Sequence, residues 1–190
     1  LKVVGAQLTD AAGEPVQLRG VSTHGLAWYP QYVNQEFFTE LAEVWGANVV
    51  RLATYSAEEG GYALETSDRA ALNDLVVRGV QYAQAADLYA VVDWHTLSDA
   101  NPLTNQWAAE EFFRSVSGAL GDADNVIYEI CNEPNGSTSW ADIKAYAEAV
   151  IPIIRANDPD AVIVVGTPTW SQDLAAAAAD PLPDANVMYV

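Results

Sequence analysis

Two hydrophobic rhythms alternate along this chain. Short continuous apolar runs, rich in β-branched residues, read as buried strands; segments with apolar residues every three or four positions read as helices. A hairpin comes first, with Gln7-Leu8 leading through a turn at Asp10-Ala11-Ala12-Gly13 into Pro15-Val16-Gln17-Leu18. Its second arm leads into a first strand that ends near Val21-Ser22-Thr23-His24. Gln35 to Trp45 predicts a helix, apolar at Phe37, Phe38, Leu41, Val44 and Trp45 and stopped by Gly46. Asn48 to Leu52 is strand two, and Ser67-Asp68 opens a long helix to Ala86, apolar at Leu72, Leu75, Val76, Val80 and Ala83. Strand three is Tyr89 to His95, followed by a helix over about Trp107 to Leu120. Strand four begins at Ile127 and runs into Asn132-Glu133-Pro134, where proline lacks the N–H that a ladder needs. A helix from Trp140 to Asn157, kinked at Pro152, leads to strand five at Ala161–Gly166. A short helix over Gln172 to Ala179 precedes strand six at Val187.

Strict alternation of strand and helix, with strands apolar on both faces, predicts an α/β fold whose parallel sheet is covered by helices. A closed (β/α)8 TIM barrel typically needs about 250 residues. The 190 residues here supply about six of its eight strands. An open sheet or an incomplete barrel would fit. No Gly-rich phosphate loop follows the first strand, which argues against a dinucleotide-binding sheet and favours the barrel. The chain reads as a single domain over 1–190, truncated at its carboxyl end, because Val187-Met188-Tyr189-Val190 is a strand that stops abruptly. It begins at Leu1 rather than Met and shows no signal peptide, as a processed or trimmed form would.

Charge narrows the partners. Twenty-six acidic residues against eight basic ones give a net charge of −18, and the only lysines are Lys2 and Lys144. Such a surface repels nucleic acid and anionic lipid, whose phosphates need Lys and Arg. No stretch reaches the ~18 consecutive apolar residues of a membrane span. A neutral partner is compatible with this charge; a polyanion is not. Cys131 is the only cysteine and lies in strand four, where it reads as a small core residue.

Several strands end in a residue able to bond or titrate: His24, Arg51, His95, Asn132 with Glu133, and Thr167 with Trp170 just beyond strand five. Parallel strands bring their carboxyl ends to one rim, so these residues are expected to meet. Adjacent strand residues face opposite ways, so Asn132 and Glu133 can share a site only if a bulge or twist re-aims one. A glutamate at an enclosed mouth would have its pKa raised by desolvation, as suits a general acid. Arg51 on a buried strand needs an acidic partner, Glu129 being one candidate. His24 and His95 come from different strands. Asp93 shares a face with His95, but two ligands fall short of a zinc site. No serine sits in a Gly-x-Ser-x-Gly elbow. The chain therefore predicts neither metal nor cofactor. Among the aromatics Trp94 reads as core, whereas Trp28 and Trp170 lie in loops where an indole can stack on a sugar's C–H face.

These residues resemble glycoside hydrolase family 5, in particular its bacterial endoglucanases (cellulases). The matching stretches are Gly20 through Tyr29, Asn48 through Tyr55, Val92-Asp93-Trp94-His95, Val126 through Gly136 and Gly166 through Asp173. The resemblance implies a (β/α)8 barrel and retaining hydrolysis of internal β-1,4-glucosidic bonds. It implies Glu133 as acid/base, Asn132 on the 2-hydroxyl of the sugar being cleaved, and Arg51 supporting the nucleophile's charge. His95 would join the hydrogen-bond network, and His24, Trp28, Tyr55 and Trp170 would line a cleft for a β-glucan or cello-oligosaccharide. A secreted protein, monomeric at full length, is implied as well. Retention needs a second carboxylate about 5–5.5 Å from the first. The family's nucleophile closes strand seven and is expected beyond Val190, so the 190-residue chain alone is expected to be inactive or nearly so. A non-catalytic glucan-binding fragment and a mannanase-type retaining barrel glycosidase are the alternatives.

Overall fold

A computed structural model describes all 190 residues. A hairpin, β1 (Lys2–Val4) and β2 (Gln7–Thr9), precedes β3 (Gly20–Ser22), α1 (Gln35–Glu43), β4 (Val49–Tyr55) and α2 (Arg69–Ala85). Then come β5 (Tyr89–His95), α3 (Gln106–Leu120), β6 (Val126–Glu129), α4 (Trp140–Arg155) and β7 (Val162–Val165). A one-turn element α5 (Pro168–Ser171), α6 (Leu174–Ala179) and β8 (Val187–Tyr189) complete the order. Strands β3 to β8 form one sheet in sequence order, and every pair is parallel. Strand and helix alternate as the pattern predicts, and the architecture is an incomplete (β/α)8 barrel.

The strand period of two sorts side chains onto two faces. Val50, Leu52, Val92, Trp94, Tyr128 and Ile163 join the large core formed with helix residues such as Phe112, Val116, Ile143 and Val150. The opposite face, lining the barrel interior, carries a separate cluster of Ile127, Val162 and Val164. Tyr89, Val91 and Met188 pack on it, as do Leu1, Val3, Leu8 and Leu18 from the amino-terminal segment. The hairpin thus stoppers the amino-terminal end of the interior. Local signals agree with this packing. Asn34 and Asp68 cap α1 and α2, and Ser139 with Asp142 forms a reciprocal capping box on α4.

Several boundaries differ from the pattern. The hairpin pairs Lys2–Val4 with Gln7–Thr9, and the Pro15 arm makes only an isolated bridge to Thr9, since proline cannot extend a ladder. α1 ends at Glu43, leaving Val44 and Trp45 in solvent at 73% and 67% exposure instead of on a core face. β4 continues three residues beyond Leu52, to Tyr55. β6 stops at Glu129, well before Pro134. The Ile130 N–H still reaches Val164 of β7, but the Asn132 N–H bonds to Trp94 of β5, so the chain leaves the ladder before proline can break it.

Candidate active site

At the carboxyl end of the sheet the interior changes from apolar to charged. Arg51 of β4, Asp93 and His95 of β5, and Glu129 of β6 share a face with Val91 and Ile127; Arg51 is the register partner of Val91, Asp93 and Glu129 lie one step further along, and His95 lies two. Asp93 and Glu129 are register partners, so two carboxylates lie side by side on neighbouring strands. Arg51 reconciles them. Its Nε and Nη2 donate to Glu129 Oε2 and Oε1 at 2.7 and 2.8 Å, a bidentate fork. Nη2 also reaches Asp93 Oδ2 at 2.9 Å and Asn132 Oδ1 at 2.9 Å. Burial opposes the guanidinium charge, yet Asp93, Glu129 and Glu133 together hold its pKa above the usual arginine range. Burial and the neighbouring Asp93 push the Glu129 carboxyl up, against the pull of Arg51.

Above this layer stand the rings. His95 Nδ1 lies 2.6 Å from Asp93 Oδ2, and its ring stacks on Tyr55 at 4.4 Å between centroids. Burial, then Asp93, raises the Tyr55 phenol pKa. Tyr55 Oη is 3.3 Å from His24 Nδ1, and Trp28 meets Tyr55 edge-on at 5.1 Å and His24 at 5.0 Å. The Trp28 indole N–H donates to the Glu59 carbonyl at 2.5 Å, which fixes the ring while leaving it 39% exposed. His24, Trp28, Tyr55, His95, Arg51 and Asn132 therefore form one connected network drawn from two strands, β4 and β5, and the loops that follow β3 and β6.

The Asn132-Glu133 segment is a loop anchored on both sides. Asn132 Nδ2 donates to the Thr96 carbonyl at 2.9 Å while the fully buried Thr96 hydroxyl donates back to the Asn132 carbonyl. The Ala100 carbonyl accepts from the Asn135 N–H at 3.1 Å and the Thr138 hydroxyl at 3.3 Å. On the other side the Trp170 N–H donates to the Pro134 carbonyl at 3.0 Å. Gly166 permits that approach, because a Cβ there would come within 2.5 Å of the Cys131 carbonyl oxygen and 2.7 Å of Pro134 Cδ. Glu133 itself has φ 32°, Ala100 has φ 53°, and Thr169, Trp170 and Ser171 have φ 61°, 55° and 60°. Non-glycine residues rarely adopt these angles, and they gather around this rim.

Asn132 and Glu133 diverge through that positive φ, not through a bulge within the strand. Asn132 turns inward and is buried, whereas residues 1–190 leave the Glu133 side chain exposed. Thr167 is fully buried, with its hydroxyl donating to the Val190 carbonyl at 2.8 Å, and takes no place on the rim. Trp170 is 52% exposed and joins the rest only through its backbone bond to Pro134. Arg51 does bridge to Glu129, and it serves the rim through Asn132 at the same time. Cys131 is buried as core, and burial pushes its thiol pKa well up. Trp94 is core as well. No three His, Cys, Asp or Glu side chains converge to hold a metal ion.

Sequence reasoning undervalued Asp93 and Glu129 and missed Thr96. The first two carry a readable signal: each is a lone acid in an otherwise apolar buried strand, in phase with His95 or facing Arg51. Thr96 carries none, because its role depends on the carbonyl of a residue 36 positions away.

Comparison with known proteins agrees with this geometry. The family model "Cellulase (glycosyl hydrolase family 5)" matches residues 9–190. An endoglucanase of Clostridium saccharobutylicum is 50% identical over 190 residues, all of this chain and 42% of that protein. Endoglucanase A of Butyrivibrio fibrisolvens is 45% identical over 190 residues, again all of this chain and 44% of that protein. Among solved structures, the catalytic domain of Thermobifida fusca endoglucanase Cel5A superposes with a TM-score of 0.92 at 42% identity, covering 99% of this chain and 62% of that one. A singly substituted variant of that catalytic domain has been solved in complex with cellotetraose. The chain thus spans less than half the length of these two endoglucanases.

Proposed function

The chain belongs to the cellulase family of glycosyl hydrolases, family 5, and from that premise we propose that it forms the acid/base half of a retaining endo-β-1,4-glucanase site. One observation carries the reading. A solvent-facing carboxylate, Glu133, directly follows an asparagine locked to Arg51 and Thr96, and the aromatic cluster of Trp28 and Tyr55 belongs to the same network.

In this reading Glu133 protonates the leaving glycosidic oxygen and, in the second step, takes a proton from the attacking water. Asn132 uses one Oδ1 lone pair on Arg51 and one Nδ2 hydrogen on Thr96. The remaining lone pair and hydrogen are free for the 2-hydroxyl of the sugar being cleaved. Arg51, already steadied by Asp93 and Glu129, supports the charge of the nucleophile. His24, Tyr55, His95, Trp28 and Trp170 line the glucan path, with the exposed indoles offering faces to sugar C–H bonds.

The nucleophile is a second carboxylate about 5–5.5 Å from Glu133. The strand-end acids Asp93 and Glu129 are buried and engaged by Arg51. Asp142 belongs to a helix cap, Asp173 caps α6, and Asp180 pairs with Lys144 at 2.5 Å. The reading therefore assigns the nucleophile to a segment outside residues 1–190, within one catalytic domain of a secreted protein that is monomeric at full length.

Hydrolysis of carboxymethylcellulose by the whole protein tests this. Glu133→Gln is expected to cost about 10²–10⁴-fold in kcat, the usual range for a general acid/base, with folding intact because the residue is exposed. Residues 1–190 alone are expected to give no turnover. Turnover by residues 1–190 that Glu133→Gln abolishes would overturn the assignment of the nucleophile elsewhere.

A further inference from the structure

The two histidines of the rim are held by opposite kinds of neighbour. His24 Nδ1 lies 2.9 Å from the Gly25 backbone N–H, and a backbone amide can only donate. That nitrogen must offer a lone pair, so the neutral His24 ring carries its hydrogen on Nε2. The Tyr55 hydroxyl at 3.3 Å from the same Nδ1 is compatible only as a second donor. His95 faces the reverse situation. Its Nδ1 is 2.6 Å from Asp93 Oδ2, and a lone pair that close to a carboxylate oxygen would be repelled. Arg51 Nη1 lies 3.4 Å from that Nδ1, too far to compete with the shorter contact. The neutral His95 ring therefore carries its hydrogen on Nδ1 and leaves a lone pair on Nε2.

We infer that Asp93 and the Gly25 amide lock His95 and His24 in opposite tautomers, so that the rim presents an N–H donor at His24 Nε2 and a lone-pair acceptor at His95 Nε2. Neither Nε2 makes a hydrogen bond within the protein. Asp93 is a positioning residue in this arrangement, acting through His95. It is fully buried, and its Oδ2 takes both Arg51 Nη2 and His95 Nδ1 while Oδ1 has no partner. All of its bonding capacity in use is spent on orienting two rim side chains.

The pair selects for chemistry as well as shape. A hydroxyl can accept from His24 and donate to His95, whereas a ligand carboxylate has no hydrogen to give and would meet the His95 lone pair unfavourably. The arrangement favours neutral, hydroxyl-rich rings over uronate rings. This ligand preference rests on the glucan reading above; the tautomers do not.

Nitrogen-15 NMR of the full chain decides the tautomers directly, since long-range proton–nitrogen correlations separate protonated from unprotonated ring nitrogens. The chain has only two histidines, so His24→Gln and His95→Gln assign the signals. Above the imidazole titration range, His95 is expected to show a protonated Nδ1 and a bare Nε2, and His24 the reverse. The same tautomer on both rings, or averaged nitrogens at His95, overturns the inference. Asp93→Asn is expected to keep the His95 tautomer, because the cationic Arg51 Nη2 lies 2.9 Å from that oxygen position and favours the amide oxygen there over the amide nitrogen. Asp93→Ala is expected to release it; should that variant fail to fold, the unmodified and Asp93→Asn spectra still decide. Adding cellotetraose is expected to move the Nε2 signals of both rings. Binding seen by calorimetry with both Nε2 signals unmoved overturns the donor–acceptor role, whereas no binding at all counts against the glucan reading and leaves the tautomers to be judged on the spectra of the free chain.

Discussion

The barrel interior has two ends that solve burial in opposite ways. At the amino-terminal end Ile127 and Val162 pack with Val91, Val3 and Leu8, and nothing there needs a partner. At the carboxyl end the same strands turn inward Arg51, Asp93, His95 and Glu129, each of which does. Apolar packing gains from leaving water at about 25 cal/mol per Å². A buried ion cluster gains little net stability over an apolar replacement and is costly once broken. One end of each strand holds the sheet together, and the other end holds groups in place for use.

Breaking the charged end should have the largest effect. Arg51→Leu leaves Asp93 and Glu129 buried side by side without their cation, and a loss of about 3–5 kcal/mol in urea unfolding is expected. Glucan binding should disappear with it. A loss under about 1 kcal/mol, the scale of an exposed pair, would mean the cluster is far better hydrated than its burial implies.

At the other end, Ile127→Ala removes a side chain 1% exposed and should cost about 2–5 kcal/mol, with less relief where the surrounding layer cannot collapse. Cellotetraose affinity of the folded fraction should be unchanged. A change in affinity would show that the two ends are coupled and not merely adjacent.

A smaller effect separates rim from interior. Trp28→Ala should leave stability within about 0.5 kcal/mol, as for an exposed residue outside the core, and weaken cellotetraose binding measurably by calorimetry.

The smallest effect is in pH. Glu129 has a folded pKa raised above its ordinary carboxylate value, so the fold binds that proton more tightly than the unfolded chain. Its favourable contribution is full below the unfolded pKa, near 4.5, and is lost as pH rises through the higher folded value. Glu129→Gln should remove that part of the slope. Urea midpoints across the acid range, compared between the two proteins, would show a difference that flattens above the folded pKa.

The sequence carried much of this. Alternation of apolar runs and helical spacing specified six parallel strands in order, because a strand apolar on both faces can be buried only by helices on one side and a filled interior on the other. The lone polar residues at strand ends marked the rim for the same reason: Arg51 and His95 interrupt runs that are otherwise buried. Where the reading fell short, the deciding partner was distant in sequence. Glu133 looked enclosed, but its exposure depends on a backbone turned by positive φ and on what covers the rim. Thr167 looked like a rim residue, yet its hydroxyl is taken up by Val190.

By itself, then, the sequence determined the strand order and the motif that carries Glu133. These follow from local periodicity and from residues within a few positions of one another. Only the tertiary structure decided that Asp93 and Glu129 share one arginine, that Thr96 and Asn132 latch each other, and that His24 and His95 face opposite hydrogen-bond partners. Hydrogen bonds and ion pairs depend on distances of tenths of an ångström between groups tens of residues apart, and no local pattern in the chain encodes those.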